Sequence, residues 1–101
     1  MSTVTIKLLN PELMLSFYVS KDPVVLARKL LVAGEYTVAG TMAVDAEGEA
    51  AAEEVFDLTN NPSRQEEREE LYGRGRSVSV GDIVSVDGRD YLCASVGWQV
   101  L

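Results

Sequence analysis

Histidine is missing from all 101 residues, and cysteine occurs once, at Cys93. The first absence removes the commonest general base near neutral pH, the Ser-His and Cys-His nucleophile pairs, and the commonest zinc ligand. The second excludes an internal disulfide and a cysteine-rich metal site, and it fits a reducing compartment. Cys93 stands between Leu92 and Ala94 in a strand-like run, where a small buried hydrophobe is a far commoner role than a nucleophile. Basic residues are scarce as well: 9 Lys and Arg against 16 Asp and Glu give a net charge of −7. Lys7, Asn10, Glu12, Arg28 and Lys29 break the longest apolar stretches, so none is read as spanning a membrane. Residues 1–7 show no charged stretch followed by an apolar core, so no signal peptide is read. What these exclusions leave is one cytoplasmic domain over residues 1–101, with no cofactor, no metal and no membrane partner.

The acidity is confined to one segment. Residues 45–72 hold ten acids against Arg64 and Arg68, a local charge of −8, while the remainder holds six acids and seven bases, or +1. Such a field repels phosphates, so direct binding of nucleic acid is disfavoured. The pair Arg74 and Arg76 is the one feature that pulls the other way.

The clearest local signal is Asp87-Gly88, a dipeptide that tolerates the positive φ of a type I′ turn, set between two strand-like runs. A two-residue turn there places Val86 opposite Arg89, Val84 opposite Tyr91 and Ile83 opposite Leu92. Both faces of that hairpin are apolar, which implies an interior strand pair or a packed dimer interface. Upstream, residues 3–9 alternate as a strand, and residues 36–44 read as another in which Gly40 marks a bulge or a close backbone approach. Residues 13–19 form a short apolar run whose Phe17, Tyr18 and Val19 favour a strand, although its length does not separate strand from helix. Asp22-Pro23 has the form of a helix start, with Gly34 at the matching C-terminal position. A second helix is expected over 46–58, capped by Asp45 and stopped by Asn60-Asn61-Pro62. Ser63 and Glu66 have capping-box spacing ahead of a short, polar helical turn over 67–71. The sum is an α+β fold: a mostly antiparallel sheet of about four to five strands, packed with two helices and ending in a C-terminal β-hairpin.

Few residues offer chemistry. The carboxylates have no loop-ligand spacing and fall on helical surfaces, where a solvated face is the ordinary role. Gly73-Arg74-Gly75-Arg76 lacks the Walker pattern, and no helix follows it, so it reads as a joint rather than a phosphate cradle. Trp98 either closes the core, the commoner role, or stands as a binding anchor.

The stretch Arg76-Ser77-Val78-Ser79-Val80-Gly81-Asp82-Ile83-Val84, followed by Asp87-Gly88, Tyr91 and Gly97-Trp98, resembles the ending of small phage, plasmid and mobile-element proteins of the YodL-like group. Gly34-Glu35-Tyr36 and Val55-Phe56-Asp57-Leu58-Thr59-Asn60 are similar to other segments of such proteins, so the resemblance covers residues 23–101. It implies a small accessory protein acting inside a host bacterial cell, and it carries over no catalytic residue. The expectation is therefore a non-enzymatic, acidic accessory factor that binds and modulates a host protein. One version is a nucleic-acid mimic whose carboxylates occupy a partner's phosphate-binding groove, as anti-restriction and anti-CRISPR proteins can. The expected contact residues are Glu49, Glu53, Glu54, Asp57, Glu66, Glu67, Glu69, Glu70, Arg74, Arg76 and Trp98. The alternative is a structural or assembly protein forming a homodimer or larger homo-oligomer through its hairpin.

Overall fold

The computed structural model describes residues 1–73 and 75–101; Arg74 lies outside the described residues. In chain order the elements are β1 (Ser2–Leu9), α1 (Met14–Val19), α2 (Pro23–Val32), β2 (Tyr36–Val44), α3 (Gly48–Asn60), α4 (Gln65–Leu71), β3 (Ile83–Val86), β4 (Arg89–Cys93) and β5 (Trp98–Val100). The five strands form one antiparallel sheet in the order β2-β1-β3-β4-β5, so the fold is α+β. Among the described residues no helix is long and apolar enough to cross a membrane.

Strand alternation sends side chains to two faces, and each face has its own cluster. Val4, Ile6, Met42, Val44, Val84, Val86, Tyr91 and Cys93 meet Ala51, Ala52, Val55 and Leu58 of α3 on one side. On the other side Leu9, Ile83 and Leu92 pack with Phe17 of α1 and Ala27 of α2. The hairpin β3–β4 is thus an interior strand pair. Its register is the expected one, with Val86 opposite Arg89 and Ile83 opposite Leu92. Asp87 (φ 48°) and Gly88 (φ 87°) both take the left-handed conformation that a type I′ turn needs.

Several local signals are realised as read. The Asp22 side chain accepts the Val25 N–H at 3.2 Å, with Pro23 as the first residue of α2. At its other end Glu35 N–H donates to Leu30 and Gly34 N–H to Leu31, a Schellman closure that requires the positive φ of Gly34 (78°). Gly40 serves both of its expected roles. The β1–β2 register slips between Ile6 and Lys7, leaving Ala39 as the extra residue, and a Cβ on Gly40 would sit 3.3 Å from the Tyr72 ring.

Three expectations are corrected. Residues 14–19 are helical rather than extended. The Asn10 side chain accepts the Glu12 N–H, and Pro11 opens a 3-10 turn (Pro11–Leu13) that winds directly into α1. Only Phe17 of α1 is buried, so the run anchors by one residue and needs no strand partner. The helix expected at 46–58 spans Gly48–Asn60, two residues later, and follows Glu47 rather than Asp45. The short polar helical turn expected over 67–71 is present as α4, which begins two residues earlier at Gln65. α4 is reached through a 3-10 turn (Pro62–Arg64) whose cap is Asn61, accepting from the Ser63 N–H at 3.0 Å, in place of the Ser63 capping box.

Gly81 (φ 96°) is the tightest point of the sheet's end: a Cβ there would lie 2.9 Å from the Phe17 ring and 3.1 Å from Leu9. Gly81→Ala therefore meets backbone strain and a clash together and should lose about 1–3 kcal/mol, read as a lower urea midpoint with an unchanged slope. An unaltered midpoint would show that the loop relaxes freely.

Candidate functional site

The carboxylates of the two central helices are sorted by helix geometry. In α3, Ala51, Ala52, Val55, Leu58 and Thr59 point into the core. Glu49, Glu53 and Asp57, four residues apart, form the exposed row on the opposite side. In α4, Glu66, Glu69 and Glu70 share one exposed face, and no residue of this helix is buried. The structure thus places six of the eight expected carboxylates on two solvent-facing rows, with Glu54 and Glu67 outside them.

The two arginines of this segment are turned inward. Arg64 sits between the helices and bonds Asp57 at 2.8 Å, Glu67 through both Nε and a terminal nitrogen at 2.8 Å, and Glu54. These bonds raise the Arg64 pKa above its ordinary value, Glu67 first, and Arg64 in turn lowers that of Glu67. Glu54, Asp57 and Glu67 are thereby tied into a clamp between α3 and α4. Arg68 donates to the backbone carbonyls of Thr59 (3.1 Å) and Gly75 and lies 5.6 Å from the centre of the Tyr72 ring. Arg64 therefore pairs with Asp57 at the end of the α3 row, while among the described residues Glu49, Glu53, Glu66, Glu69 and Glu70 form no ion pair with a lysine or arginine.

Trp98 and Glu53, unrelated in the sequence, meet. The indole N–H of Trp98 donates to Glu53 Oε2 at 2.8 Å, and its ring meets Phe56 edge to face, with centroids 6.2 Å apart and planes at 88°. Between them opens a cavity of about 160 Å³ whose floor includes Cys93 and Gly97. Trp98 is half-buried, so it both extends the core and borders solvent. A second cavity of about 170 Å³ lies among Phe17, Tyr18, Pro23 and Val80, also against Cys93. Burial, the larger cause, together with Asp82 and Glu53 pushes the Cys93 thiol up to about 12.

Arg76 does not face solvent as a free cation. Its guanidinium forks onto Asp82, with nitrogens 2.5 Å and 2.8 Å from the two oxygens, and also donates to the Leu9 carbonyl at 2.7 Å. Asp82 has no exposed surface and further accepts the backbone N–H groups of Leu9 and Ser79, each at 2.8 Å. The pairing holds Arg76 above its ordinary pKa, chiefly through the hydrogen bonds to Asp82. Asp82 thus accepts two backbone N–H bonds where the chain enters β3. Arg76, expected as a contact residue, is engaged within the fold, and Arg74 lies outside the described residues.

Four residues of this arrangement were not singled out as site residues from the sequence: Phe56, Arg64, Arg68 and Asp82. Helical spacing could have found Arg64, which stands three residues from Glu67, whereas Phe56 and Asp82 depend on the tertiary fold. Among the described residues, no group of three or more His, Cys, Asp or Glu is arranged to hold a metal ion. The chain matches no protein-family model, no curated protein and no solved structure.

Removing the buried carboxylate tests the clasp. Asp82→Ala leaves two backbone donors and a guanidinium without their acceptor and should cost about 3–5 kcal/mol, measured by chemical denaturation. A loss below about 1 kcal/mol would mean that water replaces it. Cys93 gives a second check. A thiol whose pKa is raised by burial, in a residue only 4% exposed, should react with a disulfide reagent only as fast as the protein opens. Rapid labelling of the folded protein would contradict the closed packing of β4.

Proposed function

We propose that this protein is a binding module that docks on a basic surface of a protein partner through the outward carboxylates of α3 and α4. One observation carries the reading: Glu49 and Glu53 on one helix, and Glu66, Glu69 and Glu70 on the next, face solvent, while Arg64 is held by Glu54, Asp57 and Glu67 and Arg68 by backbone carbonyls. A fold indifferent to these charges would gain by placing its cations among them. Here Arg64 ties the two helices together through Glu54, Asp57 and Glu67 and leaves the other five outward carboxylates without a cation among the described residues. In its sharpest form the reading makes the partner a nucleic-acid-binding host protein, whose phosphate-binding groove the carboxylates occupy. Binding rather than catalysis is also favoured by the absence of histidine and by the burial of the lone thiol, which raises its pKa. The accessory role implied by the resemblance to mobile-element proteins fits the same reading.

Such an interface is salt-sensitive, because exposed charges are screened within about 8 Å at physiological ionic strength. Tagged protein and the triple variant Glu66→Gln, Glu69→Gln, Glu70→Gln should be compared in affinity capture from a bacterial lysate at low and high salt. A basic partner held by the native protein at low salt, released at high salt and lost with the variant is the expected result. Binding that ignores both salt and the three substitutions would overturn the proposal.

A further inference from the structure

We propose that the corner between Trp98, Phe56 and Glu53 is a receptor for an arginine side chain presented by a protein partner. The two rings stand at 88° with centroids 6.2 Å apart, so they form two walls rather than a stack. The carboxylate of Glu53 stands at the rim, held by the Trp98 N–H at 2.8 Å. Among the described residues that indole bond is the one hydrogen bond the Glu53 side chain makes, so a carboxylate oxygen and further lone pairs stay open. The cleft, about 160 Å³ and open to solvent, is of the size of one extended side chain.

Chemistry selects the occupant. An aromatic wall beside a carboxylate attracts a cation, because the ring face is negative and the carboxylate completes the charge. A guanidinium suits the corner better than an ammonium. It is planar and weakly hydrated, so it stacks on an indole while its N–H fork reaches a carboxylate, whereas a lysine head is a compact, strongly hydrated charge. Placement agrees. Glu53 belongs to the outward row of α3, with Glu49 one turn before it and Asp57 one turn after. A basic surface lying along that row would carry one arginine into the corner as its anchor, with the remaining carboxylates supplying the surrounding field. This inference rests on the docking reading above and names its central contact.

Trp98 is the sole tryptophan of the chain, so its emission reports directly on the corner. Nα-acetyl-arginine amide should shift that emission saturably, at constant ionic strength, with an affinity on the order of millimolar. The uncharged, isosteric citrulline derivative should leave it unchanged, and the lysine derivative should bind more weakly than arginine. Glu53→Gln, which keeps an acceptor for the indole N–H, should weaken the arginine response about tenfold or more, with an unaltered far-ultraviolet spectrum. Phe56→Leu, which removes one wall and leaves the carboxylate, should weaken it as well. No saturable response to arginine, an equal response to citrulline, or full binding by Glu53→Gln would each overturn the inference. An empty corner beside salt-sensitive partner binding would remove this inference alone. Arginine binding here, with partner binding indifferent to Glu66, Glu69 and Glu70, would instead remove the wider acidic-surface reading.

Discussion

The carboxylate of Asp82 has no exposed surface, and everything at one end of the sheet is arranged to satisfy it. β3 runs beside β1 from Val4 to Lys7, so Leu9 stands beyond the last residue that the neighbouring strand can pair. Its N–H goes to Asp82 and its carbonyl to Arg76, so an ion pair completes the hydrogen bonding of β1 where the strand ladder has ended. Arg76 in turn neutralises the buried charge, which without a partner would be costly. The loop that carries both residues is then fixed across the end of the sheet. Its two valines serve the two sides: Val78 joins the cluster under α3, and Val80 packs with the cluster under α1 and α2. Ser79 bonds Asp82, and Ser77 bonds the Thr59 carbonyl at the end of α3. The Arg-Ser-x-Ser-Val-Gly-Asp stretch is in this way accounted for, nearly residue by residue, by what it does for the fold.

That fixation is what gives the surface its shape. Thr59 receives the Ser77 hydroxyl and the Arg68 guanidinium at its carbonyl, and its own hydroxyl accepts the Val78 N–H. The end of α3, the inner side of α4 and the loop after it therefore meet at one residue. Arg64 closes the other side of the same joint through Glu54, Asp57 and Glu67. An exposed ion pair contributes little alone, but one guanidinium shared by three carboxylates from two helices sets their relative placement. A charged surface held in a fixed shape can recognise a partner, because less ordering entropy is lost on binding. The Trp98 corner shares the property, since β5 is hydrogen-bonded to β4 and Phe56 belongs to α3.

The places where sequence reading succeeded and failed follow from the range of the forces involved. The Asp87-Gly88 turn, the Asp22-Pro23 start and the Gly34 stop are decided within a few residues, by φ preferences and side-chain caps. All three stand as read. Residues 13–19 were read as favouring a strand because seven residues show less than two helical turns, too few for periodicity, and Phe17, Tyr18 and Val19 favour β structure. The start of α3 was misplaced because alanine-rich sequence extends a helix in either direction without marking its end. Arg76 shows the limit most clearly. Beside glycines it reads as a free cation near an acidic segment, and only the approach of Leu9, 67 residues away, shows it to be part of the fold.

The sequence by itself determined which residues are acidic, where the tight turns fall, which strands alternate and that histidine chemistry is absent, because each of these is composition or a local conformational preference. The tertiary structure decided which charges remain available. It withdrew Arg64, Arg68 and Arg76 into the interior contacts, left two rows of carboxylates outside, and brought Trp98 to Glu53 across 45 residues of chain. The reason is physical: whether a charge faces solvent depends on which acceptors lie within hydrogen-bonding distance, and those acceptors come from distant segments that only packing brings together.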